Sequence, residues 1–340
     1  MLRILKSILS KYAALGDTGE FLPRLLEHIE QRGPIRCPLV LISQVSRSGG
    51  TWLSQLFDHH PQLWAHPLEL RFGRSRKSEW PELSSVDNPQ DAWEFLRYVK
   101  ADTAFGSGTY SKGKGDDDTH PILFSDDIQH ALFLRLAEIL RTSTEREWFD
   151  VYFTSFFSAW LDYQCRYGPK RFVTGFTSMV ALEPESIRRF RQVYPDGWLI
   201  SILREPLSWY ASVKQRALTD KKAKRSPKKR LYGGFDDIEA AYLDNIKAAR
   251  DNAELFGDRF ILLDYQTLVA DTETTMQALA ARIGLDWHSS LTRQTFNGMP
   301  IQPNTSFQHG SESRGSILTE EDVARISDGP MMAGYRAITP

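Results

Sequence analysis

Six residues, Arg47-Ser48-Gly49-Gly50-Thr51-Trp52, put a guanidinium, two hydroxyls and a Gly-Gly step between an apolar run and a helical stretch. Residue types in that arrangement bind anions. Glycines let the chain bend so that consecutive backbone N–H groups face one point, and the following helix start adds its positive dipole end. A second candidate is Arg204, which ends the apolar run Leu199 to Leu203 and is followed by Pro206 and later by Ser212. Pro206 pre-sets a first helical turn, so Ser212 falls about two turns down that helix. Arg204 would then stand at the carboxyl end of a strand, where open α/β sheets bind ligands. An arginine in such a place is also often a plain surface ion-pair partner.

The first loop resembles a nucleotide-binding P-loop but departs from its triphosphate form, Gly-x-x-x-x-Gly-Lys-Ser/Thr. Gln44 occupies the first glycine position, Gly50 the lysine position, and Arg47 sits inside the loop. It can hold a phosphate, yet it lacks the lysine that handles the β- and γ-phosphates of ATP.

Positioning these residues requires strands that end where the loops begin. Short apolar runs with turn residues around them occur at Leu39 to Ser43, Arg171 to Phe176, Trp198 to Leu203 and Arg259 to Asp264. Helical stretches at Thr51 to His59, Pro184 to Val193 and Thr272 to Ile283 alternate with them. This alternation predicts an α/β protein, a three-layer P-loop-type fold whose central parallel sheet is covered on both faces. A helical, aromatic-rich insertion interrupts it, with clusters around Trp93, Phe95 and Tyr98 and from Trp148 to Tyr163. The clusters read as helix–helix core, and their place after the phosphate loop also makes them a natural roof for an acceptor pocket. The chain therefore divides into an N-terminal helical segment (1–36), an α/β core (37–70 and 170–340) and an acceptor-side insertion (71–169), all one domain.

With 340 residues and a formal net charge of −1, the chain has core enough for a soluble globular protein and no global attraction to nucleic acid or membrane. The basic run Lys221 to Arg230 lacks the interleaved aromatics that base stacking needs, so it reads as a solvated loop or a steering patch for an anion. Cys37 and Cys165 have no paired or metal-like spacing, and free thiols in a reducing compartment are expected. Met1 to Gly16 has no apolar run of signal-peptide or membrane-spanning length, which predicts a cytoplasmic protein. As a short basic amphipathic segment it packs on its own domain or makes weak peripheral membrane contact.

Taken together, the segments resemble the sulfotransferases that use 3′-phosphoadenosine 5′-phosphosulfate. Arg47 to Trp52 is similar to that family's 5′-phosphosulfate loop, and Arg204 with Ser212 to its 3′-phosphate signature. Leu262 to Val269 is similar to the family's strand-ending Tyr-Glu-Asp-Leu segment. The likeness covers about residues 38 to 70, 170 to 215 and 258 to 285. It implies that Ser48, Gly49, Gly50 and Thr51 cradle the 5′-phosphate, and that Arg47 stabilises charge on the oxygen leaving the sulfuryl group. Arg204 and Ser212 would hold the 3′-phosphate, Trp52 and Tyr265 would contact adenine or serve as core aromatics, and no metal would take part. Arg314 and Gly315 are similar to the late loop that closes over the nucleotide, with a plain surface turn as the equal alternative.

The acceptor hydroxyl needs a general base. Cytosolic members of the family take a histidine from a Lys-x-His segment, and Val173 to Ser178 contains neither residue. Tyrosylprotein and several bacterial members use a glutamate, and the stretch Asp58 to Glu69, with His60-Pro61, is similar to theirs. The resemblance therefore implies Glu69 as base, with His66 as the alternative, and places the chain nearer the bacterial and tyrosylprotein branch. The acceptor is a hydroxyl compound, a carbohydrate or glycolipid by the aromatic content, with a small alcohol, phenol or peptide tyrosine equally compatible. A P-loop kinase and a non-catalytic nucleotide-binding protein are the rival readings.

Overall fold

The computed structural model describes residues 33–73, 78–97, 120–219, 234–301 and 317–339, with residues 23, 26, 27, 29, 109 and 110. The segment 1–16, the basic run 221–230, and Arg314 and Gly315 lie outside the described residues.

A five-stranded, wholly parallel sheet positions the site. Its strands are β1 (Leu39–Ile42), β2 (Leu63–Glu69), β5 (Phe172–Phe176), β6 (Trp198–Leu203) and β7 (Phe260–Asp264). They lie in the order β2-β5-β1-β6-β7. Two-residue strands β3 (Thr109–Tyr110) and β4 (His120–Pro121) form a separate antiparallel pair, as do β8 (Thr295–Phe296) and β9 (Met299–Pro300). The described helices are α1 (Gly50–Leu56), α2 (Pro89–Leu96), α3 (Asp126–Leu140), α4 (Glu145–Ala159), α5 (Pro184–Val193) and α6 (Pro206–Thr219). They continue with α7 (Phe235–Phe256), α8 (Tyr265–Ala270), α9 (Thr272–Ile283), α10 (Glu320–Ser327) and α11 (Pro330–Ile338).

Alternation along the strands sends side chains to opposite faces. Leu39 and Leu41 join one apolar cluster, with Trp148, Phe149, Phe153 and Phe156 of α4 and Phe190 of α5. Val40 and Ile42 join another, with Trp52, Leu53 and Leu56 of α1 and Met276, Leu279 and Ile283 of α9. A third cluster closes the carboxyl end of the sheet, where Val45 and Leu203 meet Trp209 of α6, Tyr242 and Ile246 of α7, and Met331 of α11. The predicted three-layer arrangement is thus present. The aromatic stretch Trp148 to Trp160 is buried throughout, and each fully buried side chain of that size contributes roughly 1.5–3 kcal/mol. Helix α4 is started by a reciprocal cap between Thr144 and Glu147.

Two differences from the sequence expectation concern the site. Helix α1 ends at Leu56 rather than His59, because Asp58 accepts hydrogen bonds from Thr295 Oγ1 (2.7 Å) and the Gly298 N–H (2.9 Å) and His59 turns left-handed (φ 59°). Strand β2 gave no strand-like run in the sequence. Its alternation is broken by His66 and Pro67, and its pairing with β5 shifts register between Ala65 and Glu69. A proline is tolerated there because β2 is the sheet edge. Both cysteines are free thiols, and burial raises Cys37 to about 11. Among the described residues no helix is long and apolar enough to cross a membrane.

Candidate functional site

The loop after β1 is fastened by its backbone at four successive residues. The Gln44 carbonyl accepts from the Met179 N–H (3.0 Å), and the Val45 N–H donates to Asn245 Oδ1 of α7 (2.9 Å). The Ser46 carbonyl accepts from Trp209 Nε1 (2.9 Å), and that of Arg47 from Arg204 Nη1 (3.1 Å). Such anchoring holds an unfavourable backbone. Arg47 is left-handed (φ 77°), a conformation that costs a residue with a Cβ about 1–2 kcal/mol, and Gly49 follows at φ 107°. Both glycines are sterically required. A Cβ on Gly49 would stand 2.7 Å from the Tyr265 ring, and one on Gly50 would stand 2.3 Å from Gln44 Nε2 and from the Phe176 ring.

The two sequence signatures meet. Arg47 Nε donates to Ser212 Oγ (3.1 Å) across 165 residues of chain. Arg204 is 4 % exposed, donates from Nε to Ser208 Oγ (2.9 Å), and lies over the Tyr265 ring at 4.4 Å. Ser208 was not singled out from the sequence, although it stands one turn before Ser212 on the same face of α6. Tyr242 OH fixes the Arg204 carbonyl (2.6 Å). Glu205 caps α6, its carboxylate accepting from the N–H groups of Leu207 (3.1 Å) and Ser208 (2.8 Å). The positive end of α6 is therefore already satisfied, which leaves anion binding here to side chains.

The charge balance points the same way. No carboxylate pairs with Arg47 among the described residues, and burial, followed by the facing Arg216 guanidinium, lowers the Arg47 pKa from its ordinary value. An environment that disfavours a cation and holds no counter-charge is relieved by a bound anion. Among the described residues, Ser48 Oγ and Gln44 Oε1 are buried without hydrogen-bond partners, each residue 1 % exposed. Trp52 and Tyr265 meet edge to face (6.0 Å) and are 8 % and 3 % exposed, forming a wall behind Gly49.

Glu69 ends β2, beside the carboxyl end of β5. Its Oε1 accepts from the Ser178 hydroxyl and the Ser178 N–H (3.3 Å), while Oε2 accepts the Arg71 fork (Nη2 3.0 Å, Nε 3.3 Å). The side chain is 12 % exposed, with Arg71 at 36 %. Neither Arg71 nor Ser178 was recognised in the sequence: only the fold brings Ser178, after β5, beside the end of β2, and Arg71, two residues from Glu69, follows a strand with no clear alternation. Ser178 connects this carboxylate to the loop, because the next residue, Met179, donates to Gln44. His66 makes separate contacts. Its Nδ1 meets the Leu68 carbonyl (2.8 Å) and its ring packs on Phe156 (4.5 Å), beside a small cavity lined by Gln55, Asp58, Pro67 and Thr295. No group of three or more His, Cys, Asp or Glu residues fit to hold a metal occurs among the described residues.

Comparison with known proteins places this geometry in context. The model described as the sulfotransferase family matches residues 38–289. No curated protein matches the chain. Among solved structures, the sulfotransferase domain from the curacin biosynthetic pathway is 14 % identical, covering 87 % of this chain and 97 % of its own, with a TM-score of 0.48. The sulfotransferase domain from the Synechococcus PCC 7002 olefin synthase is 15 % identical, covering 89 % and 96 %, with a TM-score of 0.44. A mouse sulfotransferase complexed with PAP is 10 % identical, covering 93 % and 94 %, with a TM-score of 0.40.

Proposed function

Starting from the chain's membership of the sulfotransferase family, we propose that it moves a sulfuryl group from 3′-phosphoadenosine 5′-phosphosulfate to an acceptor hydroxyl, with Glu69 as general base. The observation that carries this reading is the junction of Arg47 with Ser212 and of Arg204 with the Arg47 carbonyl, which makes one site of two cationic segments. A donor with two separate anionic ends fits such a site, and the Ser48 hydroxyl without a partner and the Arg47 guanidinium without a carboxylate, among the described residues, fit the same anion.

In this reading the donor supplies an activated sulfuryl group whose sulfur–oxygen bond to the 5′-phosphate breaks as the acceptor oxygen bonds to sulfur. Ser48, Gly49, Gly50 and Thr51 hold the 5′-phosphate through N–H groups and hydroxyls. Arg47 offers its guanidinium to the oxygen on which charge develops, an arrangement commonly worth a few kcal/mol in the transition state. Arg204 and Ser212 hold the 3′-phosphate. Glu69 takes the acceptor's proton, its carboxylate oriented by Ser178 and Arg71. Loose group transfer of this kind is governed by positioning and electrostatics, which suits a loop fastened at four successive residues.

The acceptor is a hydroxyl compound. Aromatic content was the reason for favouring a carbohydrate, and the described aromatics of α4 are buried in the core, where no sugar can stack on them. The test is incubation with sulfur-labelled donor and pooled alcohols, phenols, sugars and glycolipids, read by mass spectrometry for an added sulfuryl group. Transfer from ATP with Mg²⁺ and none from the labelled donor would overturn the reading.

A further inference from the structure

Gln44 occupies the loop position where a triphosphate-binding loop has glycine. A glycine there carries no side chain, whereas this chain buries a carboxamide, 1 % exposed, directly against the start of α1. Its Nε2 lies 2.3 Å from where a Cβ on Gly50 would stand, and the Phe176 ring bounds the same space. Gln44 is tied down only through its backbone, the carbonyl accepting from Met179. Among the described residues no hydrogen bond holds the carboxamide, and its Oε1 is buried without a partner. Four residues on, the Ser48 hydroxyl is in the same condition.

Buried polar groups are nearly always satisfied, and two orphans within one short loop call for a ligand that satisfies both. A half-turn of the terminal amide exchanges its NH₂ and C=O positions, so either a donor or an acceptor can stand where Oε1 now stands. The unpaired guanidinium of Arg47 in the same loop decides between them, because the expected occupant is an anion and takes donors.

We propose that Gln44 is a further donor-binding residue, whose carboxamide NH₂ hydrogen-bonds the anionic 5′ end of the bound nucleotide beside Ser48. The inference rests on the phosphosulfate reading above and extends it to a position at which this loop departs from the glycine form. Gln44 acts on the 5′ end alone, since the 3′-phosphate side is built from Arg204 after β6 and Ser212 on α6.

The test compares two ligands by calorimetry, 3′-phosphoadenosine 5′-phosphate and adenosine 3′-phosphate, which differ only in the 5′ group. Wild type prefers the first. Gln44→Met, similar in length and apolar, weakens the bisphosphate about 10- to 100-fold, as expected for a hydrogen bond to a charged group. Its affinity for adenosine 3′-phosphate stays within about twofold, and the ligand-free melting temperature is unchanged or higher, because an unsatisfied amide has been removed. Gln44→Glu, which sets a carboxylate against the anion, lowers bisphosphate affinity at least as far and serves as the second variant should Gln44→Met fold poorly. A wild-type preference that survives in either variant overturns the inference while leaving the donor reading in place. A wild type that binds both ligands alike overturns the donor reading and the inference together.

Discussion

Substituting Arg47 by glycine and by alanine separates its chemistry from its backbone. Both variants delete the guanidinium that reaches Ser212, so both lose the charge offered to the leaving oxygen. Loss of one pre-aimed donor of this kind costs about 2.7–4 kcal/mol in the transition state, or roughly 10²- to 10³-fold in turnover. They differ in the backbone. Arg47 holds φ 77°, which alanine retains as strain and glycine adopts freely, a difference of about 1–2 kcal/mol in favour of glycine. In a domain of this size that corresponds to a melting temperature about 1–4 °C higher for Arg47→Gly than for Arg47→Ala. Turnover is read with labelled donor and the best acceptor from the pooled screen, and stability by calorimetric melting of the free protein. The expected pattern is equal loss of transfer in the two variants, unequal stability, and a smaller loss of 3′-phosphoadenosine 5′-phosphate affinity than of transfer. Equal proportional losses in binding and turnover would refute the leaving-group role. Equal melting temperatures would refute the strain.

Three further outcomes are expected. Glu69→Gln removes turnover and keeps nucleotide affinity; normal turnover in that variant would move the base elsewhere, with His66 next to be replaced. Gly50→Ala places a Cβ against Gln44 and Phe176 and costs about 1–3 kcal/mol by overpacking, with nucleotide binding falling as well, so an unchanged melting curve and affinity would contradict the close approach. At Asp322, burial favours the neutral acid, but the Lys214 ammonium (2.6 Å), Thr319 and the Tyr210 hydroxyl outweigh it and lower the carboxyl from 3.8 to about 2. A depressed folded value contributes stability that is fully present above about pH 4 and is lost as pH falls toward 2, so melting temperature should decline more steeply across that window in wild type than in Asp322→Asn. Identical slopes would show that the contact between α6 and α10 carries no such linkage.

Legibility in the sequence followed locality. The β1 strand, its loop and α1 are consecutive, so residue types and spacing reveal them directly, and the same holds for β6, Arg204 and α6. What escaped lay across strands. Glu69 is held by Ser178, 109 residues away, and by Arg71, whose role depends on an edge strand disguised by His66 and Pro67. Ser208 escaped because the family signature drew attention to Ser212, one turn further on. The aromatic run of α4 read correctly as core, but not that this core would cover a face of the sheet, since periodicity identifies a buried helix without saying what buries it.

The spatial order of the strands has a consequence for how the protein is made. The neighbours of β1 in the sheet are β5 and β6, so the strand that carries the anion loop has no partner until more than a hundred further residues have been added. Contacts this distant in sequence form slowly and late. A nascent chain released before the end of β6 has emerged would own the glycine loop but neither Arg204 nor Ser212, and with the roles proposed above could hold only one end of the nucleotide. With the roles proposed above, ligand retention reports completed synthesis and folding of the first two-thirds of the chain, and a nucleotide resin would sort chains that include α6 from shorter ones.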